Sequence, residues 1–163
     1  MVGTKNEKSL IVNADDFGLS RGVNKGIIKA FREGIVRSAS IMPNGRYFLE
    51  AAALAEENKD LDIGLHLCLT EERPVLPINE VPTLVNKEGY FHKEWFWLFF
   101  KLYSRNINLL EAEKELEAQF RKVIDRGIHP SHVDSHQHIH IMPGLADIVI
   151  KLSSKYNIRN IRY

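Results

Sequence analysis

Short apolar runs alternate with helix-like stretches along most of the chain, and this alternation limits the fold most strongly. Three early runs predict buried strands: "KSLIVNAD" (8–15), "GIVRSASIM" (34–42) and "LDIGLHLCL" (61–69). Further on, "SHVDSHQ" (131–137) predicts a fourth strand and "NIRNIRY" (157–163) the start of a fifth. Strands that alternate with helices form parallel sheets, because each helix returns the chain to the edge where the previous strand began. The sequence therefore predicts an α/β fold with a parallel sheet.

Apolar spacing and end signals predict the helices. Ser20 can cap a first helix, which Gly34 would end. Further helices are expected at 46–58, at 94–104, at 109–126 and after Pro143. The proline-rich segment 70–90 has no clear period and predicts a long loop, a type of segment that often carries function. Five such units are too few to close an eight-unit barrel of roughly 250 residues.

Composition and charge exclude several functional classes. The formal net charge is +1, so no strong field points to nucleic acid or to an anionic membrane as a partner. The single cysteine, Cys68, can form neither an internal disulfide nor a thiolate zinc site. The N-terminal stretch has no signal-peptide pattern, and no apolar run is long enough to span a bilayer. We therefore expect a cytoplasmic protein with no membrane partner.

Metal-capable side chains stand at the predicted ends of three strands. Asp15 and Asp16 end the first strand, His66 lies near the end of the third, and "DSHQH" (134–138) ends the fourth. The carboxyl ends of parallel strands meet at one edge of a sheet, so these groups should converge. Two imidazoles and a carboxylate suit a divalent cation and leave positions open for water and substrate. Neighbouring acids point to different sides of the chain, so one could bind the metal while the other accepts a proton.

Each of these features also has a purely structural explanation. An Asp-Asp pair is usually a solvated turn, and a lone strand histidine usually fills a hydrogen-bonded place in the core. Asp134 is interpreted as an acceptor behind a histidine N–H, and Asn13 as a residue that orients the acid pair. The aromatic segment "YFHKEWFWLFFKLY" (90–103) could stack a sugar ring, but packing in the core or at a subunit contact is the favoured interpretation.

At "IVNADDFGLSRGVNKGI", "IGLHLCLT" and "HVDSHQHIHIMP" the sequence resembles the YdjC-like carbohydrate deacetylases, the family of chitooligosaccharide deacetylase. The three motifs occur in the family's order, and the resemblance extends over essentially the whole chain. It implies a parallel (β/α) barrel-like fold of the glycoside hydrolase/deacetylase type, incomplete in this chain because family members continue beyond it. Residues 1–163 would then form a single (β/α) deacetylase-like domain, truncated at its C-terminal end relative to the family.

The resemblance also implies a metal-dependent hydrolase that removes the N-acetyl group from an N-acetylated sugar or chitooligosaccharide. Carried over by motif, Asp16, His66 and His136 would bind one divalent metal cation. Mg²⁺ is the cation that the family implies, with Zn²⁺ or Co²⁺ as alternatives. Asp15 would be the catalytic base that activates a metal-bound water.

Other predicted roles are less specific. His138, His140 and Asn13 are candidates for substrate contact or proton transfer, and a homodimer is a further expectation. Two alternative functions stay open on the residues alone. One is a metal-dependent phosphoesterase, which often holds two or three ions and needs cationic help with phosphate. The other is a non-catalytic metal- or sugar-binding remnant of the deacetylase fold.

Overall fold

The computed structural model describes residues 10–162, in which strands and helices alternate along most of the chain. The five strands are β1 (Asn13–Phe17), β2 (Ser38–Ile41), β3 (Asp62–Leu67), β4 (His132–Ser135) and β5 (Asn160–Ile161). The five α-helices are α1 (Arg21–Glu33), α2 (Phe48–Glu57), α3 (Trp95–Tyr103), α4 (Leu109–Ile124) and α5 (Leu145–Lys155). Two short 3₁₀ helices, Ile78–Glu80 and His136–Ile141, complete the described elements.

The five strands form one sheet in which every pair is parallel and the spatial order is the chain order, β1-β2-β3-β4-β5. A doubly wound sheet reverses its strand order partway, whereas the wall of a (β/α) barrel adds each strand beside the previous one. The sequential order therefore confirms the predicted parallel, barrel-like α/β fold.

The two faces of the sheet differ in chemistry because side chains alternate along each strand. Odd-numbered positions such as Ile41, Leu65 and Val133 are apolar, fully buried and part of the hydrophobic core. Even-numbered positions on the same strands carry polar groups: Ser38, Ser40, Asp62, His66, His132 and Asp134. The register aligns these positions across the strands, with His66 opposite Asp134. The sheet thus presents a continuous polar face, and the candidate site lies on it.

The helix signals in the sequence are confirmed. The Ser20 hydroxyl accepts a hydrogen bond from the Val23 N–H at 3.1 Å, and Gly34 follows the last residue of α1. Gly127, with φ of 85°, lies just beyond α4, where a left-handed residue suits the end of a helix.

The first strand differs from its prediction. The structure places β1 at Asn13–Phe17, so the acid pair lies inside the strand rather than at its end. Residues 8 and 9 of the predicted strand fall outside the described range. The pairing of β1 with β2 shifts between Ala14 and Phe17, and Asp16 has a left-handed φ of 65°. The shift has the character of a β-bulge, which re-aims side chains.

The predicted long loop connects β3 to α3 and is fastened to α4 by two carboxylates, one of them buried. Glu115 is fully buried and accepts hydrogen bonds from the backbone N–H groups of Val75 and Leu76, each at 2.9 Å. Glu111 accepts the Thr83 N–H at 2.8 Å. These bonds satisfy backbone groups that have no strand partner, so the loop is held in one arrangement.

Helix α3 is not a core helix. Only Leu98 of its nine residues is buried, and the rings of Trp95, Phe96, Trp97, Phe99 and Phe100 are between 45% and 58% exposed. The interpretation that these aromatics pack in the core is therefore wrong, while the subunit-contact interpretation stays a prediction. Among the described residues, no helix combines the length and the apolar character that crossing a membrane requires.

Candidate metal centre

Three strand ends bring one carboxylate and two imidazoles together. The Asp16 Oδ1 atom lies 2.8 Å from His136 Nδ1 and 3.2 Å from His66 Nε2. One ligand atom from each of these residues falls within 4.8 Å of the others. We call this group the Asp–His–His cluster. Its members come from β1, from β3 and from the residue that follows β4, so the parallel sheet creates the cluster from remote segments.

His66 is held from behind by a buried acid. Its Nδ1 atom lies 2.6 Å from Asp134 Oδ1, and the side chains of both residues are almost fully buried. The other Asp134 oxygen accepts a hydrogen bond from the Ser40 hydroxyl at 2.8 Å. Asp134 therefore fixes the ring of His66 so that Nε2 faces the cluster, the arrangement found behind many metal-binding histidines.

His136 reaches the cluster because the chain turns sharply after β4. The strand ends at Ser135, and Gln137 and His138 adopt left-handed backbone conformations with φ near 55°. The polar residues His132, Asp134, His136, His138 and His140 therefore do not share one strand, although all have even numbers. The turn separates His136, which faces Asp16, from the two histidines that follow it.

Charge interactions shift the pKa values of all three groups. Hydrogen bonds from His136 and His66 hold the pKa of the Asp16 carboxyl well below its usual range. Burial by itself would lower the pKa of His66, but its contacts with Asp134 and Asp16 outweigh burial and raise that pKa to about 9. The hydrogen bond to Asp16 raises the pKa of His136 as well. Protons and a cation would compete for these nitrogens, so cation binding would release protons.

Asp15 lies beside the cluster and faces a different set of partners. Its carboxylate belongs to a second group, with His66 and Asp134, whose ligand atoms also lie within 4.8 Å of one another. The Asn13 amide donates to Asp15 Oδ1 at 2.7 Å. The Arg162 guanidinium donates a hydrogen bond to each Asp15 oxygen, at 2.9 and 2.8 Å. Both neighbouring acids lie near His66, so the expectation that they point to different sides of the chain is wrong. The bulge at Asp16 turns its carboxylate to the side of the sheet that Asp15 already faces.

Sequence reasoning missed Arg162, which also lies 3.0 Å from Asp134 Oδ2. A bidentate arginine fixes the plane of a carboxylate as well as its position. The signal available in the sequence was the spacing. Arg162 lies two residues after Asn160, which pairs with His132, and this spacing places Arg162 in line with Asp134 on the polar face.

The two remaining motif histidines lie apart from the Asp–His–His cluster. His140 is buried, and its ring nitrogens contact the Ser135 hydroxyl and the Arg162 carbonyl oxygen. Both nitrogens are therefore engaged by structural partners. His138 is exposed and lines an apolar cavity of about 520 Å³ with Trp95 and Phe99. Their predicted roles in substrate contact or proton transfer stay predictions.

Unusual backbone conformations concentrate at this site. Six non-glycine residues of the described part have positive φ. Three of them belong to the cluster or lie next to one of its members: Asp16, Glu71 and Gln137. Glu71 comes from the long loop, and its Oε2 atom lies 3.5 Å from His136 Nε2. Conformations of this kind persist where the surrounding structure enforces them, which is common at functional sites.

The donor set suits a divalent cation. One carboxylate and two imidazoles from separate strands would supply three ligands and leave other positions open, the pattern of catalytic rather than structural metals. Imidazole is a favoured ligand of Zn²⁺ and Co²⁺, and carboxylate also accepts Mg²⁺. The supporting carboxylate of Asp134 adds the outer contact that metal-binding histidines usually have.

Comparisons with curated proteins point to one group of enzymes. The chain is 42% identical to a carbohydrate deacetylase of Brevibacillus brevis over 149 residues, which is 91% of this chain and 57% of the relative. It is also 42% identical to a chitooligosaccharide deacetylase of Serratia marcescens over 144 residues, which is 88% of this chain and 54% of the relative. The chain therefore spans a little over half the length of these relatives.

A solved structure and a family profile agree with those matches. A crystal structure from Enterococcus faecalis V583, of a protein whose proposed role is cellobiose-phosphate cleavage, superposes with a TM-score of 0.83 at 36% identity. The superposition covers 94% of this chain and 57% of that one. The profile of the family described as YdjC-like protein matches residues 9–163. This chain belongs to the YdjC-like protein family.

Proposed function

We propose that this chain carries the catalytic part of a metal-dependent carbohydrate deacetylase, which removes the acetyl group from an N-acetylated sugar. The observation that carries the proposal is the convergence of Asp16, His66 and His136 beside a second acid, Asp15. The names of the relatives, carbohydrate and chitooligosaccharide deacetylase, supply the substrate class. In this proposal residues 1–163 act as one (β/α) deacetylase domain.

Asp16, His66 and His136 would hold one divalent cation. When bound, the cation would polarise the acetamide carbonyl and acidify a nearby water. The resemblance implies Mg²⁺, whereas two imidazoles among three ligands also suit Zn²⁺ or Co²⁺. The experiment below therefore compares these cations directly.

Asp15 would act as the general base. Its carboxylate would accept a proton from the water that attacks the carbonyl carbon, while Asn13 and Arg162 hold its two oxygens in place. The C–N bond of the amide then breaks, and the leaving amine takes up a proton. The exposed His138 is the candidate donor of that proton, because both ring nitrogens of His140 have structural partners. The products are acetate and an amino sugar.

Phosphoester hydrolysis fits the site less well. Transfer of a phosphoryl group needs cationic groups aimed at the phosphate oxygens. Among the described residues that line the Asp–His–His cluster and its neighbouring acids, the one arginine is Arg162, and Asp15 and Asp134 already engage it. A count of bound cations separates the two functions, since one ion per chain fits the deacetylase and two or more fit the phosphoesterase.

The proposal is tested by stripping the chain of metal, adding Mg²⁺, Zn²⁺ or Co²⁺ singly, and measuring acetate released from N-acetylated chitooligosaccharides. We expect acetate with a cation and none with a chelator. Asp15→Asn should keep the metal and lower turnover by about 10²–10⁴-fold, the usual contribution of a general base. His66→Ala and His136→Ala should lose the metal itself.

His129→Ala is the matched control, because His129 is exposed and contributes to a different cavity with Lys59 and Arg126. It should retain both the metal and the activity. Equal metal occupancy in the wild type and in both histidine variants would refute the ligand assignment. Metal binding without release of acetate would support the binding-only alternative instead.

A further inference from the structure

The ring of His136 lies between two carboxylates that come from different parts of the chain. Its Nδ1 atom is 2.8 Å from Asp16 Oδ1, inside the Asp–His–His cluster. On the opposite side of the ring, Nε2 is 3.5 Å from Glu71 Oε2. The ring therefore presents one nitrogen to the cluster and the other to an acid of the long loop.

His66 shows the same arrangement with its nitrogens exchanged. Its Nε2 atom faces Asp16 at 3.2 Å, and its Nδ1 atom faces Asp134 at 2.6 Å. A metal-binding histidine usually donates its other ring N–H to a carboxylate or carbonyl, which fixes the tautomer and raises the basicity of the ligand nitrogen. Asp134 does this for His66, and Glu71 is placed to do it for His136.

The position of Glu71 is enforced by its surroundings. Its backbone is left-handed, with φ of 65°, a conformation that is unfavourable for residues other than glycine. The Glu71 N–H donates to the His92 carbonyl oxygen at 3.2 Å, and the Phe91 N–H donates to the Glu72 carbonyl oxygen at 2.9 Å. These two bonds hold the segment against the far end of the same loop.

The carboxylate of Glu71 is itself steadied. The Gln137 amide donates to Glu71 Oε1 at 3.3 Å and to the Lys93 carbonyl oxygen at 3.3 Å. Gln137 directly follows His136, so the turn after β4 and the long loop are joined at the point where Glu71 meets the imidazole. The other Glu71 oxygen, Oε2, faces His136.

We propose that Glu71 is a positioning residue that accepts the Nε2–H of His136 and so directs the Nδ1 lone pair toward a bound cation. The inference rests on the proposed metal site. We expect a bound cation to fix the ring and shorten the 3.5 Å contact between Nε2 and Glu71 Oε2 to hydrogen-bond length. The two histidine ligands therefore use different nitrogens, Nε2 in His66 and Nδ1 in His136.

Calorimetric titration of the metal-free chain with Co²⁺ and Mg²⁺ tests the proposal. Glu71→Gln should weaken cation binding by about 10–100-fold, the usual effect of removing such a supporting contact. Glu72→Gln is the matched control for charge alone. It removes the same charge from the adjacent position, where the carboxyl interacts with His136 through charge but forms no ion pair with it among the described residues. Its affinity should stay within about 3-fold of the wild type, well short of that effect.

Glu71→Gly separates positioning from folding. Glycine adopts positive φ readily, so this variant should unfold at the wild-type temperature or above while still losing cation affinity. The ¹⁵N chemical shifts of the His136 ring supply a second measurement. With the diamagnetic Mg²⁺ bound, the wild type should carry its proton on Nε2.

The outcomes distinguish this inference from the proposed function. Equal cation affinity in Glu71→Gln and Glu72→Gln overturns the role of Glu71 but leaves the metal site standing. A His136 proton on Nδ1 in the metal-loaded wild type overturns it as well. If the wild type binds cations no more tightly than Asp16→Asn, both the metal site and the role of Glu71 are refuted.

Discussion

Asp134→Asn is the substitution that most directly probes how the polar face supports the Asp–His–His cluster. The side chain of Asp134 is fully buried, and its two oxygens meet His66, Ser40 and Arg162 at 2.6, 2.8 and 3.0 Å. Asparagine has the same shape but only one oxygen. If that oxygen stays with His66, the amide NH₂ faces the Arg162 guanidinium, and two donors oppose each other.

The expected loss can be estimated from these contacts. Breaking a buried ion pair costs about 3–5 kcal/mol, and the lower end applies here because Arg162 keeps its contacts with Asp15. A loss of about 3 kcal/mol lowers the melting temperature of a chain of this size by roughly 6–12 °C. Cation affinity should fall by about 10–100-fold, because the ring of His66 loses its charged partner.

Thermal melts of the metal-free protein and calorimetric cation titrations measure the two effects. The matched control is Asp62→Asn, which alters an acid on the same face of the sheet. The Asp62 side chain is half exposed, and its closest hydrogen bonds are to the hydroxyls of Ser131 and Ser38 at 2.7 and 3.1 Å. It should lose less than about 1 kcal/mol, as exposed polar contacts do. If Asp134→Asn melts within about 2 °C of the wild type and binds cations equally well, Asp134 does not support His66.

Three further predictions address pH, the loop and the general base. The pKa of His66 is raised from 6.5 to about 9, so its ion pairs stabilise the metal-free fold fully below pH 6.5 and are lost as the pH rises through 9. Denaturant titrations should therefore show the free energy of unfolding falling by about 3 kcal/mol across that window, and less in His66→Ala. Glu115→Gln should lose about 1–3 kcal/mol of unfolding free energy in the same assay, because an amide group would face backbone N–H donors. Glu113→Gln alters a partly exposed ion pair with Lys151 and should lose under about 1 kcal/mol. Arg162→Ala should lower deacetylation by about 10²-fold with metal occupancy unchanged, because it releases Asp15; unchanged turnover would argue against that role.

The fold was predictable because its signals are local and repeated. Apolar runs and helix stop signals each mark one element, and parallel pairing follows from their alternation. The convergence of the Asp15–Asp16 pair, His66 and segment 134–138 followed in turn, since a parallel sheet gathers its carboxyl ends, whereas the choice of Asp16 and His136 as ligands came from the family resemblance. That inference needed the topology and no side-chain detail.

The features that the sequence did not predict depend on contacts that form only in the folded chain. Glu71 lies in a loop without a period, and only the folded loop shows which ring it faces. Arg162 lies two residues beyond the start of a two-residue strand, where the alternation of side chains along the strand was the sole indication of the face it occupies. The aromatic helix α3 is apolar on most sides, a pattern that predicts burial. The sequence of the helix does not show whether another part of the chain covers it.

The left-handed residues around the Asp–His–His cluster bear on how this protein can evolve. Each holds a backbone conformation that costs of order 1–3 kcal/mol, and three of them, Asp16, Glu71 and Gln137, lie at one site. Glycine at these positions relieves the strain but removes side chains of the candidate site. Selection for heat resistance alone would therefore favour the loss of these side chains, whereas a variant that keeps the site must gain stability elsewhere in the fold.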